Sequence, residues 1–203
     1  MAGLPLNFSL PSENLIASYD WTDVQAGISY FRFYGLNCWN GTASTNILSN
    51  QLIRSDSLVT DEKAGDAGTN YWYFESAALD SPRTVAVNSA FILMYWTGRR
   101  SGLIGPGTFN LKVKLMKKRG VTYTDMSNDA DPGSISVNNG PSATATETIV
   151  LTTVKTSLAI GDIIVLKITL DFNESYHLAK VSHDPYEDTA DTNLEVNIPF
   201  KTE

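Results

Sequence analysis

The sequence predicts an all-β protein, an antiparallel β-sandwich of jelly-roll type with an extended N-terminal arm. Three observations carry this. Apolar residues recur with period two along most of the chain, as they do on half-buried strands. Segments rich in turn-forming residues separate these stretches, among them "SNDADPGS" (127–134) and "NNGPSATA" (138–145). No window of a dozen residues carries an apolar stripe at helical spacing.

The elements follow in chain order. Residues 1–14 contain Pro5 and Pro11, which favour an extended path and cannot donate to a sheet ladder. They predict an arm whose apolar residues Leu4, Leu6, Phe8 and Leu10 contact a neighbouring subunit. Residues 15–203 predict a single sandwich domain. "LIASYDW" (15–21), "ISYFRFYG" (28–35), "NILSNQLIRS" (46–55) and "NYWYFES" (70–76) read as strands, and a helical turn fits near 20–26. "RTVAVNSAFILMYWTG" (83–98) is long enough to bend and serve two sheets. In "TFNLKVKLMKK", Phe109, Leu111, Val113 and Leu115 point one way, and Asn110, Lys112, Lys114 and Lys118 the other.

"TETIVLTTVKT" (146–156) is rich in β-branched residues that suit a pleated surface. A Gly161-Asp162 turn then introduces a strand in which Ile164, Leu166, Ile168, Leu170 and Phe172 share one face. "YHLAKVS" (176–182) and "NLEVNIPF" (193–200) complete the set, with short strands at 121–124 and 133–137. The segments 60–70, 97–107 and 127–145 read as loops and as expected contacts with neighbours.

Charge and composition exclude several classes. A net charge of −7 without a basic stripe argues against a nucleic-acid partner. The lysines of 112–118 read as the solvated face of a strand. The longest apolar run, "AFILMYW" (90–96), is too short to span a bilayer. One cysteine, Cys38, allows no intramolecular disulfide. The first residues lack the basic and apolar regions of a signal peptide, which predicts synthesis without a classical export signal.

Catalytic constellations are missing from the text of the sequence. There is no G-x-S-x-G elbow, and His177 and His183 are too far apart on a strand to share a metal. The expectation is therefore no enzyme and no cofactor. Acidic turns leave one metal chemistry open. Asp125, Asp129 and Asp131, or separately Asp184 and Asp188, could form a loose calcium site, although counting from Asp129 fails the EF-hand pattern. Asp184 equally suits a turn that closes the connection between the last two strands. Trp39, in "NCWNG", and Trp72, between Tyr71 and Tyr73, are candidate glycan contacts, because exposed rings stack on sugar faces. The competing reading places such rings in the core.

Four stretches resemble a group of otherwise uncharacterised virion proteins from tailed phages and marine viral metagenomes: "NFSLPSENLIASYDWTDV", "YFRFYG", "VSHDPY" and "VNIPFK". Tyr186, Glu187 and Asp188 depart from the basic or small residues that follow His-Asp-Pro in that group. The resemblance implies a jelly-roll structural protein of the particle, such as a capsid decoration, vertex or minor capsid component. It implies partners among copies of itself, as a trimer or higher, and among other virion proteins. A tail, receptor-binding or carbohydrate-binding module is the alternative.

Overall fold

The structure, a computed structural model, describes residues 27–39, 44–51, 59–65, 68–100, 107–131, 134–137, 143–172, 177–183 and 194–201. The expected arm with Leu4, Leu6, Phe8 and Leu10, the strand at 15–21 and the helical turn near 20–26 lie outside these residues.

The described residues contain no helix and form fourteen strands. The first seven are β1 (Ile28–Trp39), β2 (Ser44–Ser49), β3 (Val59–Gly65), β4 (Gly68–Ser76), β5 (Arg83–Val85), β6 (Ser89–Arg100) and β7 (Gly107–Arg119). The rest are β8 (Thr122–Asp125), β9 (Ser134–Val137), β10 (Ala143–Thr152), β11 (Thr156–Leu158), β12 (Ile163–Phe172), β13 (His177–His183) and β14 (Glu195–Lys201). They pair along one curled path, β3-β13-β6-β14-β1-β2-β4-β12-β7-β8. Off this path β10 joins β6, β9 joins β7, and β5 joins β11 to β14. Pairing is antiparallel except between β2 and β4.

The curl brings two layers face to face over one core. Trp72 and Phe74 of β4, Leu111, Val113 and Leu115 of β7, and alternate residues Ile164 to Leu170 of β12 form one wall. Ala90, Ile92 and Met94 of β6, Ile149 and Leu151 of β10, and Val196, Ile198 and Phe200 of β14 form the other. Each large side chain buried this way contributes roughly 1.5–3 kcal/mol relative to exposure. The fold is the expected all-β sandwich of jelly-roll type, and the period-two pattern of β7 and β12 has the expected phase.

The long stretch 83–98, expected to serve two sheets, breaks into two strands that pair within one sheet. Residues 86–88 separate β5 from β6. Buried Thr153 holds that break: its hydroxyl lies 2.7 Å from the Ala86 carbonyl and 2.8 Å from the Asn88 carbonyl, and accepts the Asn88 N–H at 3.1 Å. β6 then pairs with β10 along one edge and with β14 and β13 in succession along the other.

Several loop assignments are corrected. The polar text at 60–70 forms most of β3 and the start of β4. Among the described residues β3 ends the hydrogen-bonded path. Its sequence, with Asp61, Glu62 and Lys63, shows no apolar alternation. Charge of that kind reads as loop. Residues 97–100 and 143–145 likewise belong to strands rather than loops, and Ser134–Val137 forms the short strand expected at 133–137.

Candidate functional site

Strand alternation builds an aromatic face on the outside of the β4–β12–β7–β8 layer. With Trp72 and Phe74 turned inward, Tyr71 and Tyr73 must turn outward. β12 lies between β4 and β7 and sets the cross-strand rows. Lys167 stands opposite Tyr73 and Lys114, and Thr169 opposite Tyr71 and Lys112. The tight hairpin from β7 to β8 turns at Gly120, whose φ is +58°, a value glycine adopts at little cost. It brings Tyr123 opposite Lys118 on the same face.

Three tyrosines thus form an exposed row. Tyr71, Tyr73 and Tyr123 retain 42%, 39% and 41% of their accessible surface. Ring centroids are 6.1 Å apart between Tyr71 and Tyr73, and 6.0 Å between Tyr73 and Tyr123. Rings of this size are usually spent on cores or interfaces. Here they stand in register on a hydrogen-bonded sheet, which fixes their spacing.

Four lysines surround the row. Lys118 Nζ lies 2.6 Å from Glu75 Oε2, and the Tyr123 hydroxyl donates to Glu75 Oε1 at 3.2 Å. Lys114 Nζ bridges Asp125 at 2.9 Å and Asp129 at 3.2 Å. The hydrogen bond that Lys118 donates to Glu75 raises its pKa, and the one Lys114 donates to Asp125 raises its pKa, so both hold their protons more firmly. Lys112 Nζ lies 3.7 Å from Asp171, which also accepts the Thr69 hydroxyl at 2.6 Å. Lys167 differs. Its ammonium sits 4.4 Å from the Tyr71 ring centroid and 5.9 Å from that of Tyr73, with no carboxylate partner among the described residues. The face offers ring stacking, hydrogen bonds and one uncompensated cation. These are the means of binding a ligand.

Elsewhere a concavity of about 550 Å³ opens where the core meets β1 and β2, lined in part by Phe31, Phe33, Ile47, Leu79, Arg83 and Phe200. Arg83 lies over the Phe31 ring at 5.4 Å. The Ser76 hydroxyl at its wall is already engaged, donating to the Ala77 carbonyl and accepting the Ile164 N–H.

The sequence candidates fall as follows. Trp72 retains only 1% of its surface, so the glycan contact expected of it is corrected: the ring lies in the core, and its two tyrosine neighbours hold the exposed face. The strand itself carried the clue, because Phe74, which has no polar atom, shares the parity of Trp72. Tyr123 could not be found this way, since its place depends on the β7–β8 hairpin. Trp39 ends β1 opposite Ser44, and its ring lies outside the described residues. Of the calcium candidates, Asp125 and Asp129 converge on the Lys114 ammonium, and Asp131 is exposed. Among the described residues no three of His, Cys, Asp and Glu gather as a metal site. Asp184 and Asp188 lie outside the described residues.

No family model matches the sequence, and no curated protein is similar to it. Solved structures do resemble the fold. An α-amino acid ester hydrolase matches at 10% identity with a TM-score of 0.58, over 84% of this chain and 36% of its own. A CocE/NonD family hydrolase from Staphylococcus aureus matches at 11% identity and 0.54, over 85% and 37%. An aminopeptidase from the marine sediment archaeon Thaumarchaeota archaeon matches at 8% and 0.50, over 84% and 37%. The chain spans little more than a third of the length of these hydrolases. This overturns the expectation that the protein is no enzyme, which rested on missing local motifs: its fold is one that hydrolases carry. At such identities the likeness concerns the fold alone.

Proposed function

We propose that the protein is a β-sandwich component of a virus particle whose working surface is a glycan-binding face. The exposed row of Tyr71, Tyr73 and Tyr123 supports the binding role, and the resemblance of four sequence stretches to virion proteins supports the setting. Sugar rings present apolar faces that stack on aromatic rings, and a rigid row about 6 Å in pitch holds several contacts in register. In this setting the arm, through Leu4, Leu6, Phe8 and Leu10, links copies of the chain. Deletion of residues 2–11 should weaken assembly and leave the sandwich folded, and unchanged incorporation into particles argues against that role.

The binding role is tested by affinity electrophoresis of the protein through gels containing soluble polysaccharides. At least one polysaccharide should retard the wild type, and Tyr71→Ala/Tyr73→Ala should migrate freely. Equal retardation of both proteins, or of neither by any polysaccharide, counts against the reading.

A second reading follows from coverage. The chain corresponds to about a third of enzymes named as an α-amino acid ester hydrolase and an aminopeptidase. It is then the sandwich part of such a hydrolase. Turnover of a phenylalanine ester by the purified chain, undiminished by the tyrosine substitutions, favours this reading over the first.

A further inference from the structure

We infer that the tyrosine face takes acidic glycans, sugars bearing a carboxylate or sulfate, and that Lys167 is the residue that recognises the acid group. This rests on the reading of the face as a glycan platform and narrows it to a ligand class.

The argument is one of charge matching. Of the four lysines on this face, Lys112, Lys114 and Lys118 each have a carboxylate within 4 Å: Asp171 at 3.7 Å, Asp125 at 2.9 Å and Glu75 at 2.6 Å. Lys167 has none among the described residues. It is also the lysine in the central strand, opposite Tyr73 in register and 4.4 Å from the Tyr71 centroid. A sugar stacked on Tyr71 and Tyr73 brings its substituents to this ammonium. A neutral sugar leaves the cation as it was. An anionic substituent gains a charge-assisted hydrogen bond, roughly twice as strong as a neutral one.

Stacking rings beside a lysine also suits single-stranded nucleic acid. The surroundings favour the glycan. Asp125, Asp129 and Asp171 share the face, and the whole chain carries −7, so a polymer with a phosphate at every unit meets repulsion on either side of Lys167. A ligand with its charge at one substituent does not.

The experiment compares a neutral glucan hexamer carrying a single glucuronate unit with the same hexamer after carboxyl reduction, by calorimetry at low and high salt. The wild type should bind the acidic form about fivefold to tenfold tighter, with the preference shrinking as salt rises. Lys167→Gln should bind both forms equally. Lys112→Gln removes the same charge from a matched lysine and should keep the preference. Equal binding of the two forms by the wild type, or a preference that survives Lys167→Gln, overturns the acid recognition and leaves the glycan platform standing. Tyr71→Ala that binds both forms as the wild type does overturns the platform itself. Binding of neither hexamer, or tighter binding of an oligothymidylate of the same length, overturns the inference.

Discussion

Arg119 grips the carboxylate of Asp162 with two parallel hydrogen bonds, Nε to Oδ1 at 2.6 Å and Nη2 to Oδ2 at 2.7 Å. The Asp162 side chain is fully buried while that of Arg119 keeps 61% of its surface. Asp162 Oδ2 also accepts the Ala159 N–H at 2.8 Å, and the Asp162 carbonyl accepts the Leu79 N–H at 2.9 Å. One residue therefore ties the turn before β12 to the end of β7 and to the segment after β4. The face that carries the tyrosines is built on these strands.

This pair gives stability a pH dependence. The Arg119 guanidinium, and to a lesser degree the Ala159 N–H, hold the Asp162 carboxyl down to about 2 from its ordinary 3.8. The folded state thus favours the ionised form. Its contribution is complete above the unfolded value near 3.8 and is lost as pH falls through about 2. Asp162→Asn should melt below the wild type at pH 7, by an amount on the order of 1–3 kcal/mol. Thermal melts should show the gap closing between pH 4 and pH 2, and a gap that is constant over that range refutes the assignment.

Gly35 lies inside β1 against Leu194, and its N–H donates to the Leu194 carbonyl at 2.8 Å. A Cβ at this position collides with the Leu194 side chain. Gly35→Ala should cost about 1–3 kcal/mol by overpacking. Urea denaturation should show Leu194→Ala costing less in the Gly35→Ala background than in the wild type. Additive losses contradict the contact.

Trp72 buries its indole without a hydrogen-bond partner for Nε1 in the described structure. Trp72→Phe removes that unpaired donor, which offsets part of the lost packing, and should cost less than about 1.5 kcal/mol. Trp72→Ala leaves a large void and should cost about 3–5 kcal/mol. Similar losses in the two variants, measured by denaturant titration, mean that the N–H is satisfied.

The tyrosine row should be separable from stability. Tyr71→Ala and Tyr73→Ala remove exposed rings and should shift the melting midpoint by only a few degrees, since ring pairs and exposed cation–π contacts are worth about 0.5–1.5 kcal/mol each. Circular dichroism checks that the strand signal is unchanged. A collapse of the fold places these rings in a structural role.

Much of the fold was legible because its strands are half-buried. Ile164 to Leu170 alternate with Lys167 and Thr169, and only one phase of that pattern buries the apolar set. The Gly161-Asp162 turn was legible too, since Gly161 takes a φ of +86°. β3 was not, because its run of charged residues carries no apolar alternation. In β4 both faces are aromatic, so periodicity alone left open whether Trp72 or the tyrosines faced water. The row became visible only with the core around Phe74 and with Tyr123 delivered by its hairpin. The match of Lys112, Lys114 and Lys118 to acids from four different strands and turns depends on register across strands, which no local pattern carries.

The central claim is that three tyrosines of one face meet the ligand together. The chain has nine tyrosines, so the most direct measurement labels their rings with carbon-13 and follows them by NMR during titration with a retained polysaccharide. Signals of Tyr71, Tyr73 and Tyr123, assigned through single Phe substitutions, should move in concert and saturate together, while those of buried Tyr30 and Tyr34 stay in place. Movement confined to other tyrosines, or saturation with these three unmoved, contradicts the account.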